Sequence, residues 1–512
     1  MAAERTLDSM GAAAPVVSIP FRRRASMGTD SDWSYETEQA VAGALGMVPG
    51  IGSLLSALTY MLWPSTDDVW GEIQQQVQDL IGQDLSQYDQ QQVTDALQGL
   101  QGVINNFLVV VNTTTEPSYI AENWTAANSL FIASAPTFQD STYGVALLPL
   151  FAQFVNLHLS LLRDGVLFGS QWGFEPDVIA EIQKQLTTAI TNYTEYANKT
   201  YVGGFTYQYG QWQAPLSGSA ISKPIGSGSF SSGEQYFLWN NTYIRQLTRT
   251  VLDFVSLWPY FDPSSTTYPA TIRLTSEIYS DPAGTAQGWR FVQGSPGQLG
   301  VPTPPTQPMQ QLTLWAYDNL DAVQATYPEG CGPNGVTTTA RQGDQNGGSN
   351  VPPHGGVFDV ATNPIVQVWV FLWGGEPSGV QLQFQDGTTA VVGEFDLDAA
   401  TSFSYSGQIV SSVYINGVGT YGSADCVFFG FQYQNPNLIS VSTVETMYIT
   451  DPTLESLQDL LNRLPAGSVD PTVIEQTATA EGWQALRAAY WQALSSPSSG
   501  SVSRNRTSAR AQ

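Results

Sequence analysis

Residues 148–169 read LPLFAQFVNLHLSLLRDGVLFG. Placed at about 100° per residue, Gln153, Asn156, Ser160, Arg163 and Asp164 share one narrow sector of a helix, and everything outside it except His158 is apolar or small. A helix of this kind is either the central rod of a bundle or a membrane span. In a chain otherwise acidic and polar, the choice between these two roles dominates the functional question.

The 512 residues are too many for one ordinary core, so two or three domains are expected. Hydrophobic residues make up 42% and charged residues 12%, so Gln, Asn, Ser, Thr and Tyr must cover much of the surface. A net charge of -26, with lysine only at 184, 199 and 223, argues against a nucleic-acid partner and against an anionic membrane surface. The basic exceptions are Arg22, Arg23 and Arg24 near the start and Arg504, Arg506 and Arg510 near the end. Both groups lie in segments expected to be disordered, 1–34 and 496–512, where a trypsin-like protease cuts readily. The first residues lack the apolar core of a signal peptide, so the protein is expected to be made in the producer's cytoplasm, then released. Two cysteines, Cys331 and Cys426, are too few for a disulfide framework or a cysteine-based metal site.

The uncharged run AVAGALGMVPGIGSLLSALTYMLW, residues 40–63, is long enough to span a bilayer. Pro49 with Gly46, Gly50 and Gly52 breaks it, which predicts two short buried helices. Residues 35–284 read as successive helices, among them Ser118 to Ala133, the opening stretch, and Pro176 to Tyr201. The last of them turns Ile244, Leu247, Val251, Phe254, Val255 and Trp258 to one side, with Arg245, Arg249 and Asp253 on the other, the expected solvent face. After a Pro/Gly linker at 285–308, alternation in Val380, Leu382 and Phe384 before the turn at 386–388, and again around Ile409, Val413 and Ile415, predicts an all-β domain over 309–450. A helical tail is expected over 451–495, with Asp451-Pro452 and Asp470-Pro471 as helix starts. Its Trp483, Leu486, Tyr490 and Leu494 are spaced to pack back on the body.

Catalytic patterns are scarce. The two histidines, His158 in the apolar helix and His354 in PPHGG, fit neither a triad nor a zinc site. There is no phosphate loop of the GxxxxGK[ST] kind and no spacing that singles out a carboxylate pair, so no enzyme, metal or cofactor is expected.

Several motifs in one order carry a resemblance. LLPLFAQFVNLHLSLLRDGVLFGSQWG at 147–173 resembles the central-helix signature of the insecticidal crystal delta-endotoxins. IRQLTRTVLDFVSLWPYFDP and YPATIRLTSEIYSDPAG resemble that family's closing helix and its exit into the second domain, and VPGIGSLLSAL, DLIGQDLSQY and ALQGLQGVINNF precede them in family order. The likeness covers roughly 35–284. It implies a multidomain α and β fold: a seven-helix bundle around a central apolar helix, then a β-prism-like domain. It also implies a pore-forming toxin that inserts helices into target-cell membranes after binding a glycan or protein receptor, and self-associates in the pore.

By that analogy the helix before the central one enters with it as a hairpin, with Glu122, Asn123, Gln153, Asn156, Ser160, Arg163 and Asp164 facing the lumen, and cleavage near Arg22 to Arg24 releases the toxin. The chain departs from the family in having room for one β domain and in lacking Arg-rich strand blocks at the end. GVQLQFQDGTTAVVGEF and IVSSVYINGVGTYGSADC also resemble jacalin-type lectin strands, with Gly422 to Asp425 as a candidate glycan loop one residue shorter than usual. The alternative function is therefore a lectin-like carbohydrate-binding protein whose bundle is purely structural.

Overall fold

The computed structural model describes residues 32–63, 69–73, 87–213, 241–284, 303–394, 400–418, 423–434, 439–469 and 471–495. Arg22, Arg23, Arg24 and Gly422 lie outside the described residues, as do the loop at 215–233 and most of the linker expected at 285–308.

The broken apolar run folds as read from the sequence. Helix α1 (Asp32–Gly46) ends at the glycine, and α2 (Ser53–Leu62) begins after Gly52, whose φ of 69° suits the turn. Then come α3 (Gln87–Thr113), α4 (Pro117–Phe138), α5 (Gly144–Phe168) and α6 (Pro176–Gln213). Helix α7 (241–257) carries one π turn at Thr248–Leu252. The opening stretch forms the C-terminal five-sixths of α5, and every residue from Ala146 to Gly165 is buried. Its neighbours supply large side chains, among them Phe107 from α3, Phe131 and Phe138 from α4, Leu186 and Tyr193 from α6, and Phe254 from α7. The central apolar helix is thus enclosed on all sides.

The β region builds three antiparallel sheets of four strands. The first comprises β1 (Ile278–Tyr279), β2 (Ala283–Gly284), β11 (Gln408–Val418) and β12 (Ala424–Tyr433), with β12 pairing the other three. The second runs β5 (Gln342–Gly343), β4 (Leu320–Thr326), β3 (Gln311–Ala316), β6 (Gly356–Asp359). The third runs β10 (Thr401–Phe403), β7 (Ile365–Trp373), β8 (Glu376–Phe384), β9 (Thr389–Gly393). One core takes side chains from all three: Val413 and Phe429 from the first, Leu314 and Val323 from the second, Val370 and Leu382 from the third. Three sheets around one core make a prism. The alternation expected of Val380, Leu382 and Phe384 holds in β8. In β11 a bulge between Val410 and Ser412 resets the parity, so Val410 and Val413 both face the core.

The structure differs from the sequence reading at both edges of this region. The first sheet begins at Ile278, before the linker, because β1 and β2 complete the sheet on β12. The strands end at Tyr433, and Val441–Thr450 is a helix, α8, capped by the Ser440 hydroxyl. Asp451-Pro452 does not start a helix: the Asp451 carboxylate accepts from the Thr453 amide and hydroxyl in a turn, and α9 (Leu457–Arg463) begins under a Ser456 cap. Helices α10 (Pro471–Glu481) and α11 (Trp483–Ser495) follow. Val444, Met447, Leu460, Ile474 and Trp483 from this tail belong to the core of the N-terminal bundle. Tyr490 reaches α2, its hydroxyl 3.0 Å from that of Ser56, whereas Leu486 points outward.

Gly165 tests how tightly α5 is held. A Cβ there would stand 2.6 Å from the Trp124 ring, whose indole N–H is tied to the Leu161 carbonyl at 2.8 Å. Alanine gains about 1 kcal/mol of helix propensity over glycine, and overpacking costs about 1–3 kcal/mol. Gly165→Ala is expected to lower stability by up to about 2 kcal/mol in urea unfolding. An unchanged or raised midpoint would show that Trp124 yields.

Candidate functional site

The polar stripe of α5 faces inward, and neighbouring elements meet it only in part. Asn156 Nδ2 donates to Gln153 Oε1 at 3.1 Å, and Asn156 Oδ1 accepts from the Trp258 indole N–H at 2.9 Å. Ser160 donates back to the Asn156 carbonyl. Asp164 accepts the Gly52 amide at 2.8 Å, at the N-terminus of α2, where the helix dipole favours a carboxylate. The Arg163 guanidinium lies 5.4 Å from the centre of the Tyr268 ring. Yet Gln153 Nε2 and Arg163 Nε and Nη2 have no hydrogen-bond partner among the described residues. Other elements therefore reach Asn156 and Asp164, Ser160 is satisfied within its own helix, and these three atoms are left open among the described residues.

His158, on the opposite side, is fully networked. Asn128 Nδ2 donates to Gln185 at 3.1 Å, which turns its Oδ1 to His158 Nε2 at 3.0 Å, while Tyr193 stands 2.8 Å from Nδ1. The network assigns the proton to Nε2 and leaves Nδ1 as acceptor for the tyrosine hydroxyl. On α4, Glu122 is exposed, and Asn123 is half-buried with its amide bonded to the Tyr119 carbonyl. Neither touches the α5 stripe by any hydrogen bond described.

A second polar cluster was not anticipated. Arg245, Arg249 and Asp253, read from the sequence as the solvent face of α7, are buried because that face packs on α1 and the first sheet. Arg245 donates to the Tyr279 carbonyl at 2.8 Å and pairs with Asp281 at 3.1 Å. On α1, Glu38 accepts from Ser34 at 3.1 Å and from the Tyr433 hydroxyl of β12, and Asp253 accepts from Ser276. Burial, then the neighbouring Asp253 charge, pushes the Glu38 carboxyl well above its usual range, against the pull of Arg249. Burial likewise pushes Asp253 up to about 7, with Ser276 and Arg249 opposing. Glu277 is also pushed up to about 7 by burial, although Ser411, Ser412 and Tyr279 all donate to it. The only sequence signal was the i, i+4 spacing of Arg249 and Asp253, which describes an exposed ion pair equally well.

The β domain has two unlike ends. The end carrying Gln408 and Tyr433 meets α1, where Tyr35 stacks on Tyr433 at 5.8 Å. The far end gathers the β3–β4 turn, the loop at 349–355 and the β7–β8 turn, joined by the Gly393 amide on the His354 carbonyl at 2.8 Å. Trp373 is 66% exposed there and Tyr317 52%, the latter edge-on to His354 at 5.3 Å. Asp425, the described half of the candidate glycan loop, is at this end beside Glu376, whose carboxylate accepts from Ser423 at 2.5 Å.

Residues 40–262 match the family model described as delta endotoxin, N-terminal domain. Pesticidal crystal protein Cry7Ab of Bacillus thuringiensis subsp. dakota is 30% identical over 283 residues, covering 52% of this chain and 23% of the relative. Pesticidal crystal protein Cry9Ca of Bacillus thuringiensis subsp. tolworthi is 30% identical over 253 residues, 47% of this chain and 20% of the relative. The match thus spans only about a quarter of these relatives' length. In fold, the chain is similar to the crystal structure of PirB, with a TM-score of 0.62 and 16% identity over 79% of this chain and 95% of that one. It is also similar to the mosquito-larvicidal Cry4Aa toxin of Bacillus thuringiensis, with a TM-score of 0.60 and 17% identity over 80% and 75% of the two chains. Helical domain, central apolar helix and β sheets correspond in these folds.

The raised carboxyls set the sign of a pH dependence. A carboxyl whose folded pKa exceeds its unfolded value contributes stability in full below the unfolded pKa, and that contribution is lost as pH rises through the folded one. For Asp253 and Glu277 the loss runs from about pH 4 to about 7. Thermal unfolding is expected to shift downward over this window, with Asp253→Asn removing up to about 1.4 kcal/mol per pH unit of the slope. A slope identical in the variant would show that Asp253 carries no excess proton in the fold.

Proposed function

Since residues 40–262 match the family model described as delta endotoxin, N-terminal domain, we propose that the chain is a pore-forming toxin. Its α4–α5 hairpin enters the target-cell membrane, and its β domain selects the surface to be attacked. The observation that carries this reading is α5 itself. Among the described residues, Gly144–Trp172 is the one helical segment long and apolar enough to cross a bilayer, and nearly all of it is enclosed by protein. The uncharged run from Ser141 to Leu162, at about 1.5 Å per residue, matches a hydrocarbon core of roughly 30 Å.

Inside lipid, the stripe of Gln153, Asn156, Ser160, Arg163 and Asp164 must face a partner helix or water, because unsatisfied polar groups there cost several kcal/mol. Self-association supplies both. In the soluble fold the same stripe is already short of partners at Gln153 and Arg163, which narrows the gap to be crossed on leaving it. Glu122 and Asn123, on the outward side of α4, would reach the lumen once the hairpin has entered. Cleavage near Arg22 to Arg24, ahead of α1 in the sequence, would release the toxin. The far end of the β domain, with Trp373 and Tyr317 presented in a compact group of turns, is the surface suited to a receptor. A neutral receptor or apolar contact fits the net charge of -26.

Dye release from neutral liposomes by intact and trypsin-trimmed protein tests insertion. Release is expected, and is expected to rise after trimming. Asn128 and Gln185 side chains meet at 3.1 Å between α4 and α6. A reducible bis-thiol linker across Asn128→Cys and Gln185→Cys should therefore suppress release until reductant is added. Release unchanged by the linker would sink the hairpin mechanism, and no release in any condition, with the protein folded, would favour the lectin-like alternative. Trp373→Ala is expected to weaken binding to target-membrane vesicles by about tenfold, the loss of a buried aromatic anchor, without altering release from receptor-free liposomes.

A further inference from the structure

Over its first two turns helix α2 has no open side. Ser53 to Thr59 are buried without interruption, and successive residues at about 100° each carry that burial right round the axis. One side rests on the bundle, where the Gly52 amide at the start of α2 holds the Asp164 carboxylate of α5 at 2.8 Å. The tail covers the other. The Ser56 and Tyr490 hydroxyls stand 3.0 Å apart, and the Tyr60 ring meets that of Tyr490 edge-on at 5.5 Å. Val444, Met447 and Tyr448 of α8 share one core with Leu54, Leu55 and Leu58.

The loop leading into α2 is gripped from the same direction. The Val48 amide donates to the Arg463 carbonyl at 3.1 Å. Gly50 lies so close to the turn after α8 that a Cβ there would strike Thr453 Oγ1 and stand 3.1 Å from Arg463 Nη1 and Asp451 Oδ2. Arg463 fixes that turn, donating to the Thr453 hydroxyl and to Asp459, each at 2.7 Å. Within the tail, α11 closes the end of α8. Arg487 donates to the Tyr448 and Leu454 carbonyls at 2.7 and 2.8 Å, and the Trp491 indole donates to the Ile449 carbonyl at 3.1 Å. Tyr448 and Ile449 lie in the last turn of α8, where carbonyls have no partner inside the helix. These bonds make α8 and α11 one piece.

We propose that helices α8–α11 form an autoinhibitory clasp that holds α2 on the central helix, so that α5 leaves the bundle only after the tail has lifted from α1 and α2. The contacts are laid out in series, the tail against Gly50 and, two residues on, the Gly52 amide against Asp164. Lifting the tail bares the outer side of α2 and frees the loop, and the Asp164 carboxylate then loses the amide that pairs with it. Entry of α5 into a membrane rests on the pore-forming reading, whereas the clasp is a property of the soluble fold.

Arg487→Met loosens the clasp from within, since the Arg487 bonds and ring contact described here all lie inside the tail. Hydrogen exchange read by mass spectrometry on the full chain is the test, with dye release from neutral liposomes alongside. Exchange over 52–62 and at the C-terminal end of α5 is expected to rise on the order of tenfold, with α4 unchanged, and dye release to quicken. A reducible bis-thiol linker across Tyr60→Cys and Tyr490→Cys should suppress both until reductant is added. Should Arg487→Met fail to fold, Trp491→Phe, which removes only the indole bond, replaces it, with a smaller rise expected. Exchange over 52–62 unchanged while α11 itself exchanges faster, or exchange raised in α4 as well, would overturn the proposal. So would dye release indifferent to the linker. If neither the parent nor any variant releases dye, the pore-forming reading falls, and the exchange pattern alone decides the clasp.

Discussion

The fold depends on how α5 disposes of its polar stripe in a wholly buried setting. A free-standing apolar helix of this length would seek lipid or aggregate, and a fully polar-satisfied one would have no reason to leave the bundle. The enclosing elements strike an intermediate condition. Trp258 and Gly52 reach in to engage Asn156 and Asp164, and Tyr268 covers the Arg163 guanidinium with a ring rather than a carboxylate. The partners come from α2 and from the exit of α7, so movement of either element removes them. Stability of the stripe is therefore conditional on the arrangement of the outer helices.

The same condition is imposed from the other side by the junction with the β domain. Glu38, Arg249 and Asp253 are buried where α1, α7 and β12 converge, with Tyr433 and Ser276 reaching the carboxyls from the β side. Two carboxyls around one guanidinium cannot both be ionised cheaply away from water. The junction consequently holds α1 and α7 against the first sheet through carboxyls whose protonated form burial favours. Such a contact gives specificity of orientation more than gross stability.

Sequence alone revealed those parts of the fold that rest on period and punctuation. The body of α5, the break between α1 and α2, and the strand preceding the 386–388 turn were all legible, because each is encoded in consecutive residues. What eluded sequence reasoning was encoded across hundreds. Charges on α7 were assigned to solvent, since amphipathic reasoning cannot see a third surface covering the polar face. Two-residue strands such as Ile278–Tyr279 carry no periodic signal, and the bulge at Ser411 shows only once β11 is paired. Of the buried polar groups, the stripe of α5 was legible as one sector of a helix; Glu38 and Glu277 were not, because nothing local distinguishes a buried glutamate from an exposed one.

The C-terminal helices have a bearing on how the chain acquires its structure. The core of the bundle joins Val41 and Leu58 to Met447, Leu460 and Trp483, so its last side chains leave the ribosome long after its first. Contacts so remote in sequence close late and slowly. During synthesis the α1–α2 surface must wait, apolar and uncovered, while the whole prism is made. The nascent bundle is thereby an incomplete particle, and the finishing step of folding is the docking of α8–α11 onto helices that emerged hundreds of residues earlier.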